Sequence, residues 1–379
     1  MGVVVNPFLV KRYQGPAYFC DREDELIRLC KAIENGRDVT LLSQRRMGKS
    51  GLLKHLQYTL EKQNKTHMLY TDVFKTTDIY GFARALSLTL ISHIKQEKKL
   101  LSKIADIFKS VRPMLSINPL TAEPEVSIDF GDANQAWNTL DDIFNYIKSK
   151  DETIVWAIDE FQQINQYPDG QRIEATLRTY IQEIRQARFI FSGSKVHMLQ
   201  EMFHAPNRPF YQSTDMLFLK EIPMDKYQSF IAKHFKKSKM HPNPKVLDLI
   251  MERTLGHTWY VQMVCNKLYE LGIKELEEMH VHQVLNDIFK TFEQYYFTYR
   301  DILSKGQWNL LKALAQEGKV EKPTASNFLR EHHLKSSAAV SKTLPVLLDL
   351  ELIIKVQELE NSYYRVADVF FMRWIQTIY

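Results

Sequence analysis

One stretch limits the folds open to this chain more than any other: Val39-Thr40-Leu41-Leu42-Ser43-Gln44-Arg45-Arg46-Met47-Gly48-Lys49-Ser50. Val39 to Leu42 is a short apolar run of the kind a buried strand makes. A polar turn follows, then Gly48-Lys49-Ser50, then Gly51-Leu52-Leu53-Lys54-His55-Leu56 with leucines at helical spacing. Strand, loop, Gly-Lys-Ser, helix is the order a phosphate-binding loop requires. A helix N-terminus presents unpaired N–H groups and a positive dipole end to an anion. Gly48 lets the backbone approach phosphates with no Cβ in the way. Lys49 is expected to reach the β- and γ-phosphates of a nucleotide, and the Ser50 hydroxyl to ligate Mg²⁺. Ser43, Gln44, Arg45, Arg46, Met47 and Gly51 complete the expected cradle. The pattern G-x-x-x-x-G-K-[ST] asks for glycine where this chain carries Ser43, a residue less suited to a tight turn.

A chain of 379 residues has room for two or three domains and a sizeable core. Its net charge of +5 is too weak to imply a nucleic-acid partner by itself. Cys20, Cys30 and Cys265 show neither metal-ligand spacing nor a disulfide framework, which fits a reducing cytoplasm. Met1 to Tyr13 holds no long apolar segment, so no signal peptide is expected. No run approaches the ~20 apolar residues that span a bilayer.

Taken in order, Asp21 is the expected cap of a helix from Arg22 to Asn35, stopped by Gly36. A helix over Ser50–Gln63, a strand over Thr66–Phe74 and a helix over Ile79–Lys95 follow. That alternation predicts a parallel sheet with helices on both faces. Between 97 and 134, Pro113, Pro119 and Pro124 punctuate two alternating runs, Met114–Ile117 and Val126–Phe130, read as an inserted β-hairpin. A helix over Ala136–Lys148 leads to Thr153-Ile154-Val155-Trp156-Ala157-Ile158-Asp159-Glu160. This is a buried strand ending in two carboxylates. Ligands of such sheets bind at the carboxyl ends of the strands, so both acids are expected beside the phosphate loop. Asp159 is expected to hold Mg²⁺ and Glu160 to orient the attacking water. Gln171–Gln186 reads as a helix, Arg188–Lys195 as a strand ending in small polar residues, and Asp215–Ile222 as the last strand. Helices are expected over Met224–Lys236, Pro244–Thr254 and Thr258–Leu271.

From about Tyr296 the pattern changes. Trp308, Leu310, Leu311 and Leu314 share one helix face; Ala325–His332 and Ser336–Leu350 form two more helices. Leu352–Val356 and Tyr363–Val366 read as strands around Glu360-Asn361-Ser362. Three helices and a hairpin make a winged helix. Residues 296–379 hold 11 Lys+Arg and 9 Asp+Glu, and 11 − 9 = +2. The expected recognition helix, Ser336–Leu350, carries Lys342 as its one basic residue. Tight DNA binding needs several phosphate contacts, so a protein partner or self-association is favoured over DNA.

Phe19 to Leu26 resembles the F-x-G-R-E-x-E-L lead-in that precedes the phosphate loop in many ATPases, with Cys20-Asp21 where a small residue and glycine are usual. Together with Gly48-Lys49-Ser50, Asp159-Glu160, Phe189–Lys195 and Arg208-Pro209-Phe210-Tyr211, it resembles a bacterial or archaeal AAA-like ATPase, close to the signal-transduction ATPases with numerous domains. The resemblance runs from about Asn6 to Leu271. It implies an α/β fold: a P-loop NTPase parallel sheet with helices on both faces, a helical lid, and then the winged helix. The divisions expected are 1–222, 223–295 and 296–379. It further implies that Arg22 lies in the segment packed on adenine. Ser192 or Ser194 would serve as a polar sensor, and Arg208 would reach the nucleotide. Gly256 would belong to a turn that meets base and sugar, although Thr258 stands where that turn usually has proline. ATP or ADP with Mg²⁺ is the expected ligand set. Slow ATP hydrolysis driving a conformational switch is the expected function. The alternatives are a nucleic-acid-binding protein under nucleotide control and an inactive P-loop scaffold.

Overall fold

The computed structural model describes residues 6–63, 66–94, 104, 106–111, 114–117, 124–357 and 361–379. The chain divides into two compact units, Arg12–Glu221 and Met1–Lys11 with Ile222–Tyr379.

The first unit opens with α1 (Glu23–Glu34), β1 (Val39–Leu42), α2 (Lys49–Lys62), β2 (His67–Asp72) and α3 (Ile79–Ile94). A hairpin follows, β3 (Met114–Ile117) and β4 (Pro124–Ser127), paired only with each other among the described residues. Then come α4 (Ala133–Lys148), β5 (Ile154–Asp159), a 3-10 turn (Phe161–Gln166), α5 (Gly170–Glu183), β6 (Ala187–Gly193), α6 (Val196–His204) and β7 (Asp215–Phe218). Five strands form one parallel sheet in the order β2-β5-β6-β1-β7. Alternation along β5 explains why it is apolar throughout. Ile154, Trp156 and Ile158 pack with α3, α4 and α5 on one face, while Val155 and Ala157 pack with α1 and α2 on the other. The register aligns Leu42 with Gly193 and Asp72 with Asp159, so the carboxyl ends of these strands share one edge.

Several expected boundaries move, each for a local reason. The first helix is not capped by Asp21, which takes a left-handed conformation (φ 52°); Arg22 is the N-cap residue and makes no side-chain cap bond. α4 begins at Ala133 because the Asp132 side chain accepts a hydrogen bond from Gln135 N, a cap worth ~1 kcal/mol. β5 ends at Asp159, and Glu160 leaves the strand with φ 58°. β7 ends at Phe218, short of Ile222. Lys95, Pro113, Pro119 and Glu360 lie outside the described residues.

The second unit comprises α7 (Met224–Lys237), β8 (His241–Pro242), α8 (Pro244–Thr254), α9 (Thr258–Glu270), β9 (Glu275–Leu276) and α10 (Glu278–Ile302). α11 (Lys305–Glu317), α12 (Ser326–Glu331), α13 (Ser337–Asp349), β10 (Ile353–Gln357), β11 (Ser362–Val366) and α14 (Val369–Ile378) follow. Residues assigned from sequence to the ATPase core begin here: Phe8 is fully buried, its ring 4.7 Å from that of Phe235. α10 runs unbroken through residues 295 and 296, where the sequence places a domain boundary. α14 was not expected at all. It buries Phe370, Phe371 and Trp374, with Phe371 and Trp374 packed on Tyr296. Each such ring contributes roughly 1.5–3 kcal/mol by leaving water. α13 turns Ala338, Lys342, Val346 and Leu350 outward, an exposed face with one cation. All three cysteines are free thiols. No helix among the described residues is long and apolar enough to cross a membrane.

Candidate functional site

The loop between β1 and α2 is shaped by two left-handed residues, Arg46 (φ 65°) and Gly48 (φ 94°). Gly48 is the N-cap of α2, so the helix begins at Lys49 and its first N–H groups open toward the loop. Ser43 fits where glycine is usual because its backbone needs no positive φ. Its Oγ is buried without a hydrogen-bond partner among the described residues. Gln44 is half-buried, Arg45 and Arg46 are exposed, and Met47 is buried beneath the loop. Gly51 lies within α2, where an added Cβ would be 3.5 Å from the Phe19 ring, an ordinary contact.

The carboxyl ends of β5 and β6 bring four expected residues to that helix start. Ser50 Oγ donates to Asp159 Oδ2 at 2.9 Å, and Ser192 Oγ to Asp159 Oδ1 at 2.6 Å. The Lys49 ammonium lies 3.4 Å from Asp159 Oδ1 and 3.1 Å from Glu160 Oε1. Burial pushes the Asp159 carboxyl up, but Lys49 and the hydroxyls of Ser192, Tyr70 and Ser50 outweigh it and hold it below the usual carboxylate range. Glu160 is also held low: burial and Asp159 raise it, while Lys49, Gln162 and Ser194 together win.

Leaving the strand at φ 58° sends Glu160 to partners that Asp159 does not share. Its Oε2 accepts from Gln162 Nε2 at 2.6 Å and from Ser194 Oγ at 2.9 Å. Ser192 and Ser194, the two residues expected as candidates for a polar sensor, thus bond different acids. Gly193, between them, has no room for a side chain: a Cβ there would lie 1.8 Å from Gln162 Oε1.

Three contributors escaped sequence reading. Tyr70 donates to Asp159 Oδ2 at 2.7 Å, and burial together with Asp159 drives its phenol far up. Lys54 Nζ sits 4.1 Å from the Tyr70 ring centroid. Asp72, paired with Asp159 in register, is raised by burial despite a hydrogen bond from Phe74 N. The signal that could have found Tyr70 and Asp72 is their place at the carboxyl end of a parallel strand. On the lead-in side, Arg22 is buried and donates to Lys220 O at 2.6 Å and Met47 O at 3.3 Å, tying α1 to the loop. The Phe19 ring stacks on His55 at 4.4 Å, and Tyr13 OH lies 2.7 Å from His55 Nδ1.

Arg208 is not part of this cluster. Its guanidinium donates to Glu174 and Asn165. Glu174 is wholly buried, and burial lifts its carboxyl to about 7 against the lowering effect of Arg208. Gly256 belongs to the other unit, where it follows α8 with φ 65°.

The arrangement can place a cation, a hydroxyl and two carboxylates around an anion seated on a helix start. A family profile described as "ATPase domain predominantly from Archaea" matches residues 19–264. Another, described as "Probable winged helix domain", matches residues 294–377. No curated protein matches the chain. Among solved structures, the Walker-type ATPase PABY2304 of Pyrococcus abyssi superposes with a TM-score of 0.65 at 17% identity, covering 98% of this chain and 99% of its own. The ORC2 protein of Aeropyrum pernix, solved as ADPNP-ADP complexes, gives 0.60 at 14% identity, with 98% and 97% covered. The ORC1 protein of Aeropyrum pernix in complex with DNA gives 0.50 at 11% identity, with 96% and 94% covered. These likenesses are of fold.

Proposed function

The chain belongs to the family of ATPase domains found predominantly in Archaea, and on that footing we propose that it binds ATP with Mg²⁺, hydrolyses it slowly and works as a nucleotide-driven conformational switch. One observation carries this reading: Lys49 and Ser50, at the head of α2, meet Asp159 and Glu160, at the end of β5, within hydrogen-bonding or ion-pairing distance. A helix start, a cation and two ionised carboxylates at one sheet edge form a site for a phosphate chain and a hard cation.

Ser50 Oγ and Asp159 Oδ2, 2.9 Å apart, are oxygen donors of the kind Mg²⁺ takes and would hold the ion, Ser50 directly and Asp159 through water. When bound, Mg²⁺ neutralises charge on the phosphates. The chain's own residues supply the rest. The phosphate loop binds through the N–H groups that Gly48 opens, and Lys49 turns from the carboxylates to phosphate oxygens. Glu160 holds the attacking water and accepts its proton, with Gln162 and Ser194 fixing the carboxylate. Ser192 keeps Asp159 oriented. Binding and loss of the γ-phosphate change which of these contacts form, which is the basis of a switch. Arg22 and Phe19 are assigned to the base. Arg208 joins hydrolysis only if it leaves Glu174. A protein partner or a second copy is the favoured reader of the switch. DNA, present with the Aeropyrum pernix ORC1 protein, is less favoured because the outward face of α13 has one cation. An inactive scaffold would fail to hold ATP or to turn it over. Calorimetric titration with ATP and Mg²⁺, followed by phosphate release, tests the proposal.

A further inference from the structure

β2 is an edge strand of the five-stranded sheet; among the described residues it pairs with β5 alone. A groove of about 950 Å³ runs along its free side. Thr66 to Tyr70 form the floor, and the walls come from opposite faces of the sheet. Lys54, Gln57 and Glu61 of α2 stand on one side, Thr89 and Ser92 of α3 on the other. Met68 packs with the α2 face and Leu69 with the α3 face. A cavity lined by consecutive strand residues and by helices of both faces must follow the strand's edge.

The backbone points the same way. Val73 N bonds Asp159 O, so alternate residues turn their main-chain groups toward β5, and Met68 and Tyr70 turn theirs into the groove. Met68 O already takes the Gln57 side-chain amide at 3.2 Å, a donor standing where a neighbouring strand's N–H would be. Lys54, half-buried at the Tyr70 end, has no carboxylate within ion-pair distance among the described residues. It rests on the Tyr70 ring and makes a long 3.5 Å bond to Gln57. Away from that end the lining carries Glu61 and Glu152, the latter 3.4 Å from His67 Nε2, so Lys54 is the one lysine or arginine among the groove's described lining residues.

We propose that this groove binds an extended peptide segment of a partner protein, added as a further strand along β2, with an acidic side chain against Lys54. Main-chain bonds to Met68 and Tyr70 supply affinity, and Lys54 supplies selection. Five consecutive residues, Thr66 and the first four of β2, at ~3.3 Å each give a floor of roughly 16 Å, the length of a short strand. Tyr70 lines the groove and also holds Asp159, so the occupant lies one side chain from the acid cluster.

The test uses the full chain without nucleotide, so a failed ATP reading leaves it valid. A displayed library of random short peptides is selected on wild type and counter-selected on Ser92→Trp, an exposed position whose new ring fills the groove. Recovered peptides should carry an acidic residue, and their synthetic forms should lose about tenfold or more in affinity on Ser92→Trp, and less on Lys54→Gln. N-methylation at alternate peptide nitrogens should abolish binding, and hydrogen exchange should slow at the Met68 and Tyr70 amides. Recovery of no groove-dependent peptide, equal binding to Ser92→Trp, or tolerance of N-methylation overturns the proposal. Self-association that Ser92→Trp abolishes in light scattering would assign the groove to a second copy and overturn it too.

Discussion

Lys49 Nζ lies 3.1 Å from Glu160 Oε1, so the lysine at the head of α2 rests on the acid to which the proposed hydrolysis assigns the attacking water. In the proposed mechanism the pair holds these groups against each other until a phosphate competes for the lysine. Lys49→Ala therefore removes the proposed phosphate ligand and leaves Asp159 and Glu160 without their cation. ATP affinity measured by calorimetry should fall by about a hundredfold or more, roughly 3 kcal/mol. Wild-type affinity in this variant would remove Lys49 from the site.

Tyr70→Phe deletes one donor to Asp159 Oδ2 and leaves Ser50 and Ser192 in place. A hydrogen bond to a charged group is worth about 1.5–3 kcal/mol. The Mg²⁺ concentration needed for half-maximal ATP binding should rise about tenfold, while the circular dichroism spectrum stays that of the wild type. An unchanged Mg²⁺ midpoint would make the Tyr70 contact a packing detail.

Glu174 provides a pH test. Its folded pKa, lifted to about 7, exceeds its ordinary value of 4.5, so the native state binds the proton more readily than the unfolded chain. Stability from this group is present at the acid end and is lost as pH rises through about 7. Thermal melts from pH 5 to 8 should show that loss, and Glu174→Gln should flatten it. Arg208→Ala leaves the carboxylate buried without its cation and should destabilise by about 3–5 kcal/mol at pH 8. A melt unaffected by either change would mean the buried pair is not formed in solution.

The full chain should bind random duplex DNA no more tightly than ~10⁻⁴–10⁻⁶ M at physiological salt, the non-specific range. The exposed face of α13 offers Lys342 among Ala338, Val346 and Leu350. Fluorescence anisotropy across a salt series measures it. Nanomolar, sequence-selective binding would favour the nucleic-acid reading instead.

What could be read from the chain alone tracks how local the cause is. The sheet was legible because β1, β5 and β6 are apolar runs that must be buried on both faces, and the helices between them force parallel pairing. The winged helix was legible for the same reason, from amphipathic helices and a short turn. Glu160 was harder. Adjacent residues on a strand point to opposite faces, but the strand stops at Asp159 and a left-handed residue redirects the second acid to Gln162 and Ser194. No local pattern encodes that turn. Arg208 was read by its place in a loop, yet its partners Glu174 and Asn165 lie more than thirty residues earlier in the chain. α14 was missed although it is amphipathic: Arg373, Gln376 and Thr377 interrupt its apolar residues, but three helices and a hairpin already complete a winged helix, so nothing in that pattern requires ten more helical residues after the hairpin.

The proposed division of labour between the two acids is tested most directly by Glu160→Gln, which keeps the side chain's size and loses its charge. Steady-state phosphate release and ATP affinity are measured on the same preparation, beside wild type. ATP·Mg²⁺ binding at near wild-type affinity with phosphate release reduced to background is the expected result, with the ATP state trapped. Turnover at the wild-type rate would contradict it, because hydrolysis would then proceed without the carboxylate that Ser194 and Gln162 hold beside Lys49.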